Sequence, residues 1–265
     1  MTARGWRRLV WAGLAFTIGL YELQALIRNA SLTDARLAAV GCIFKIAFQL
    51  TAMAFAWTNA ERFERGNPSR PAWRFLALGC LALFLGQLFY APYQLRLRRA
   101  PFPSWADLFF VISYPLLLLA LAFFLRAYTH SGLVPVSSTQ LGALAAATLV
   151  VAAALGYAVL KPLVHDRARG LEHLLNLAYP GFDLVLLVPT VLLVRFSLAL
   201  RGGRLWPVWV SLLGGVLGLA AGDVAFSYLT SKGMSHLEGP LHVMFLAAYA
   251  LLAQAALFQR QILRE

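Results

Sequence analysis

The sequence predicts an all-α polytopic membrane protein of eight transmembrane helices arranged as four hairpins that repeat in the same direction. Its 265 residues are 60% hydrophobic and 13% charged, with a mean hydropathy of +0.70. A soluble globule of that size has too little interior for so much apolar surface. At about 20 residues per crossing, eight apolar stretches are long enough, at about 8–28, 34–58, 72–98, 104–127, 138–163, 171–200, 206–230 and 237–262. The runs lack the alternation of a barrel strand, and lipid admits only structures that satisfy their own backbone.

The repeat shows in glycines Gly19, Gly86, Gly156 and Gly222, separated by 67, 70 and 66 residues. Around two of them the match is close, since Trp73, Gly79 and Gly86 share their spacing with Trp209, Gly215 and Gly222. Such a period sets an architecture. One transmembrane domain, 1–265, then divides into hairpins at about 1–66, 67–130, 131–203 and 204–262.

Taken in order, span 1 follows Arg4, Arg7 and Arg8 and resembles a signal peptide, but it runs past Leu20 without a small-residue cleavage site and reads as a retained helix. Span 2 opens at Asp34 and carries Lys45, and span 3 carries the first Trp-Gly-Gly set and Gln87. Span 4 opens in PFPSWADLFFVISYP (101–115), where Ser104-x-x-Asp107 has the form of a capping box. Span 5 carries Gly156, and span 6 carries Glu172, Tyr179 and Asp183 with Pro180 and Pro189. Span 7 repeats glycine at Gly214, Gly218 and Gly222, a pattern that admits a close neighbouring helix. Span 8 carries His242 and Tyr249 and ends in FQRQILRE.

With the N-terminus inside, Arg4, Arg7, Arg8, Arg62, Arg65, Arg70, Arg74, Arg126, Arg195, Arg201, Arg204, Arg260 and Arg264 fall on the cytoplasmic side. Those 13 face 9 on the other side (Arg28, Arg36, Arg96, Arg98, Arg99, Lys161, Arg167, Arg169 and Lys232), which favours both termini in the cytoplasm. The net charge of +12 then points to anionic lipid as a partner, not to nucleic acid. Cys42 and Cys80 lie within spans, form no metal or disulfide motif, and read as small apolar packers.

Asp107 precedes Tyr114 by seven residues, as Glu172 precedes Tyr179 and His242 precedes Tyr249, whereas Asp34 is followed at that distance by Gly41. Through the Pro-Ser-x-x-Asp opening, the Tyr-Pro at 114–115, the Tyr-Pro with Asp183 four residues after Tyr179, and the Gly-Asp at 222–223, residues 70–262 resemble the multi-helix membrane input modules ahead of bacterial diguanylate cyclase and phosphodiesterase (GGDEF and EAL) domains. Spans 1 and 2 match poorly. His242 stands where that pattern has an acid, and Gln87 where it has aspartate. The resemblance implies a bacterial inner-membrane sensor whose last helix relays to the cytoplasm. With no output domain after Glu265, the chain reads as an excised module or a free-standing relative.

Seven residues are nearly two helical turns, so each tyrosine lies about 10 Å inward from the acid or histidine that opens its helix and shares its face. Glu22, Gln87 and Asp223 on the odd-numbered spans reach a similar depth, giving a polar layer in the outer half. The alternatives are structural. Asp107 and Glu172 suit the first turn of a helix as caps, and tyrosines near an interface are ordinarily belt residues. A protonated His242 would be repelled by a helix N-terminus, so it should stay neutral with one hydrogen bond. Asp183 and Lys45 each lie eleven residues into their spans, about 16 Å deep by helical rise, where a lone charge is costly; the expectation is that they approach each other.

The expected activity is therefore sensory: a small amphiphile bound, or the membrane sensed, in an outer-leaflet cavity by Tyr114, Tyr179, Tyr249, Asp223, His242, Asp183, Lys45, Gln87 and Glu22. No metal or catalytic motif is present, which argues against an enzyme. No cofactor is predicted. Lipid, quinone, pigment and haem remain open, although His242 has no second histidine at its depth to share a haem. Repeated hairpins with midplane charges also describe a small-molecule or ion carrier, an intramembrane enzyme is the other alternative, and a final signalling helix would suggest a homodimer.

Overall fold

The computed structural model describes residues 2–26, 34–97, 101–132, 137–164, 170–231 and 238–264. Within them run α1 (Ala3–Leu26), α2 (Asp34–Ala60), α3 (Ser69–Leu97), α4 (Trp105–Ser131), α5 (Ser138–Val164), α6 (Leu171–Ala199), α7 (Trp206–Ser231) and α8 (Glu238–Ile262). Each apolar stretch has become one helix. Seven of them, α2 to α8, are long and apolar enough to cross a membrane, which makes this a multi-pass membrane protein; α1 is outside that set among the described residues. Large apolar side chains such as Val150, 69% exposed, cover the outside, as lipid-facing residues do.

The helices pack as a ring. In the order α2, α3, α4, α6, α7, α8 each touches the next, and α8 returns to α2. α1 lies outside against α8 and α2, and α5 lies outside against α6 and α7. The second four helices thus repeat most of the packing of the first four: α6–α7–α8 follows α2–α3–α4, and the junction of α4 with α6 has its counterpart in the junction of α8 with α2.

The matched glycines sit in matching contacts. A Cβ on Gly79 would meet the Leu117 side chain at 2.9 Å, and one on Gly215 the Leu252 side chain at 2.8 Å; both leucines lie ten residues beyond the opening residues Asp107 and His242. Gly86 and Gly222 face Phe110 and Phe245 in the same way, at 2.5 Å and 2.8 Å, and both rings lie three residues beyond those openings. Gly214 and Gly218 also turn toward α8, so the three-glycine stripe is the seam of the α7–α8 pair. Gly19 faces open space, so its place in the sequence period has no packing counterpart.

Toward the end where α1 begins and α8 finishes, the ring is filled by aromatics. Phe124 stands edge-on between Trp73 (5.3 Å) and Trp209 (5.1 Å), and Tyr128 joins Trp209 to Phe196. The two tryptophans of the repeated triplets therefore meet one phenylalanine near the ring's centre. At the same end Arg7 donates to Gln254 and Gln261, stacks 3.5 Å over Phe258, and accepts through its backbone oxygen from Gln254 at 2.9 Å, tying α1 to α8. In the α2–α3 turn, Glu61 accepts from Arg74 (2.9 Å) and Arg70 (2.8 Å).

Gly215→Ala must push Leu252 and the Ala248 carbonyl, the latter 3.0 Å from the new Cβ, and we expect a loss of about 1–3 kcal/mol. Gly142→Ala, with nothing within 4 Å, should change stability by less than about 1 kcal/mol. Thermal unfolding in mild detergent measures both. The Arg74 and Arg70 guanidiniums hold the Glu61 carboxyl below its ordinary value of 4.5. Its folded-state value being depressed, the link stabilises above that ordinary value and is lost as pH falls through the lowered one. Melting temperature should accordingly drop over that acidic window in the wild type, and Glu61→Gln should lack this part of the drop.

Candidate functional site

Three tyrosines and three aspartates converge near the end where the even-numbered helices begin. Asp107 is fixed first by its own turn: its Oδ2 accepts from the Ser104 backbone N–H at 2.6 Å and from the Ser104 hydroxyl at 2.8 Å. Its Oδ1 accepts from the Tyr179 hydroxyl at 2.7 Å, joining α4 to α6. Capping and bridging are therefore done by one carboxylate. The tyrosine it meets belongs to the next even-numbered helix, since two residues stacked on one helix face point the same way and cannot close on each other at this distance.

Tyr114 reaches in the other direction and donates to Asp223 Oδ2 at 2.7 Å, joining α4 to α7. Asp183 adjoins both that hydroxyl and Asp223. A tyrosine has one O–H to give, and here Asp223 takes it. Asp183 is 4% exposed, and its Oδ2 has no hydrogen-bond partner among the described residues. Rings line the same place, with Tyr114 stacked on Phe182 at 5.1 Å and tilted against Tyr179 at 6.1 Å. Tyr249 of α8 borders the cluster beside Asp223 and Tyr179.

A second, differently charged cluster occupies the α2–α8 junction. The buried Lys45 ammonium donates to His242 Nδ1 at 2.9 Å, and the Phe245 ring lies 5.8 Å from Nζ. An ammonium only donates, so that imidazole nitrogen accepts, consistent with the neutral histidine the sequence required. Cys42 stands beside Lys45 and accepts from Gln87 Nε2 of α3 at 3.6 Å. Gln49, 1% exposed, lies next to Tyr249 with neither amide atom hydrogen-bonded among the described residues.

The sequence-derived residues are thus distributed between two places. Tyr114, Tyr179, Asp183 and Asp223 come together, with Tyr249 at their border, while Lys45, His242 and Gln87 stand on α2, α8 and α3. The expected approach of Lys45 to Asp183 is not what forms: Lys45 bonds His242, and α2 and α6 share no packing contact among the described residues. Equal depth put them at one level, but the ring set them apart. Glu172 is exposed on the first turn of α6, where a carboxylate suits the helix dipole. Glu22 and Asp34 lie in α1 and α2, and their side chains fall outside the described residues.

Sequence reasoning overlooked Phe182 and Gln49. Gln49 follows Lys45 by four residues on the same helix face and could have been found by that spacing; a phenylalanine in an apolar span carries no such signal. Among the described residues no group of three metal-ligating side chains could hold a metal ion. No family model, curated protein or solved structure matches this chain.

The Tyr179–Asp107 bond is testable by a double-mutant cycle. Tyr179→Phe and Asp107→Ala should each destabilise, the first by about 1–3 kcal/mol, and together by less than the sum, with a coupling of about 0.5–3 kcal/mol. Unfolding in mixed micelles gives the four free energies, and strict additivity would show that the two side chains do not interact.

Proposed function

We propose that this chain is a membrane-embedded sensory input module that binds a small amphiphile among the acidic and aromatic groups of α4, α6 and α7. The observation that carries the reading is Asp183, an acid buried in an apolar helical bundle with one oxygen unpartnered among the described residues and a second acid, Asp223, nearby. Polar groups at such depth are expensive, and they commonly mark a site for ions or polar ligand groups. The rings of Tyr114, Tyr179 and Phe182 wall this position, and the oxygen of Asp183 left without a partner among the described residues suits a polar head.

Support for the repeat comes from Gly79 with Leu117 and Gly215 with Leu252, which are the same contact made twice. We read all eight helices as spans, forming four hairpins of one direction. The arginine bias favours both termini in the cytoplasm, and the polar groups near the starts of the even-numbered helices then belong to the outer-leaflet half. The likeness of residues 70–262 to input modules of diguanylate cyclases and phosphodiesterases favours a bacterial inner membrane and a relay through α8. That helix runs from His242 and Tyr249 to the residues held by Arg7, so a change at one end is mechanically continuous with the other. A ligand preferring one helix arrangement would shift the equilibrium toward it.

Native mass spectrometry of protein purified in mild detergent should show a bound amphiphile on the wild type that Asp183→Asn loses while its melting temperature is kept. Absence of any adduct, together with gradient-driven solute uptake by proteoliposomes, would overturn this reading in favour of a carrier.

A further inference from the structure

The buried Asp183 and the half-buried Asp223 stand on either side of Tyr114 at the α4–α6–α7 meeting point, and no Lys, Arg or His among the described residues forms an ion pair with either. The described ion pairs belong to Glu61, in the turn at the opposite end of the bundle. Lys45, the midplane cation, is engaged with His242 across the ring. The Tyr114 proton goes to Asp223 and the Tyr179 proton to Asp107, so neither hydroxyl serves the free oxygen of Asp183. What this position lacks among the described residues is positive charge. What stands around it is aromatic: Tyr114, Tyr179 and Phe182.

From this arrangement we infer that the amphiphile's head is a cation, an organic ammonium seated at Asp183 and Asp223 against the faces of Tyr114, Tyr179 and Phe182. The inference rests on the amphiphile reading above and adds the sign of the head group. Ring faces attract an ammonium most strongly when it is desolvated, and a carboxylate pair in low dielectric favours any cation that neutralises it. A bare metal ion fits less well, because no three ligating side chains are grouped for one among the described residues. The same chemistry is offered by a free alkylammonium and by a choline-type lipid head.

The test uses the full chain in dodecyl maltoside micelles with four probes of one tail length: dodecyltrimethylammonium, dodecylphosphocholine, dodecanol and dodecanoate. Saturable stabilisation by dodecyltrimethylammonium is expected, weakened at least about tenfold by Asp183→Asn and little changed by Lys45→Met. A preference for dodecylphosphocholine with the same dependence on Asp183 also supports the cation and assigns it to a lipid head. Phe182→Leu gives an independent variant, expected to weaken the ammonium probes more than dodecanol. Equal binding of dodecyltrimethylammonium, dodecanol and dodecanoate, weakened alike by Asp183→Asn, overturns the cationic head and leaves the amphiphile reading standing. Should none of the four bind saturably, both are overturned.

Discussion

Inside an apolar helix bundle a polar side chain has no water to fall back on, so its partner must come from another helix, its own backbone or a guest. This constraint fixes how the helices meet at the end where α2, α4, α6 and α8 begin. The bonds of Tyr179 with Asp107 and Tyr114 with Asp223 orient α6 and α7 about α4. Lys45 with His242 does the same for α2 and α8. Apolar packing brings helices together without specifying their rotation strongly, whereas a 2.7 Å hydrogen bond at a buried position specifies it closely.

The two polar clusters occupy corresponding positions in the two halves of the ring. Asp183 and Lys45 each lie eleven residues beyond Glu172 and Asp34, Asp107 corresponds to His242, and Asp223 to Gln87. Where one junction joins Asp107 to Tyr179, the other has Gly41 in the tyrosine's place, and Lys45, one turn deeper, takes the partner that Gly41 cannot. The three clustered acids of one half, Asp107, Asp183 and Asp223, are thereby matched by His242, Lys45 and Gln87 in the other. The two halves share a packing contact, Gly79 with Leu117 and Gly215 with Leu252, while their polar centres have opposite character. Like acids on both sides would have left four or more carboxylates in one apolar interior, an arrangement that electrostatics makes very costly.

Much of the fold was legible because hydrophobic length and turn residues are local signals. The eight stretches became eight helices, and Trp73, Gly79, Gly86 and their counterparts fell into matching contacts. Depth could also be read, since helical rise is constant, and it placed Tyr114, Tyr179 and Asp223 at one level. Azimuth could not be read in the same way: which helix stands across from which depends on ring order, and α5 sits outside the ring so that α4 meets α6. That single fact separates Lys45 from Asp183 and delivers Tyr179 to Asp107. Asp107 was weighed as a cap, and it is one; its second oxygen was free to do something else because a carboxylate has more acceptor sites than a cap requires.

α8 connects these features along the length of the molecule. It touches α1, α2 and α7, and its window of greatest hydropathy is 61% buried, more than that of any other span described. Near one end it supplies His242 and Tyr249 to the polar clusters, and near the other Gln254 is gripped by the side chain and backbone of Arg7 while Asn59 of α2 donates to the Ala256 carbonyl at 2.8 Å. Along this stretch Ala250, Ala253, Ala255 and Ala256 are all 0% exposed, and their small side chains bring neighbouring backbones close and leave little room for the helix to bend. A helix enclosed in this way would move as a rod, and on the sensory reading proposed above a displacement at its polar end would be carried to its far end, where α8 meets α1 and α2 through charged and amide hydrogen bonds. The apolar seam keeps α8 in place, and the polar groups near its ends are what can distinguish one position of it from another.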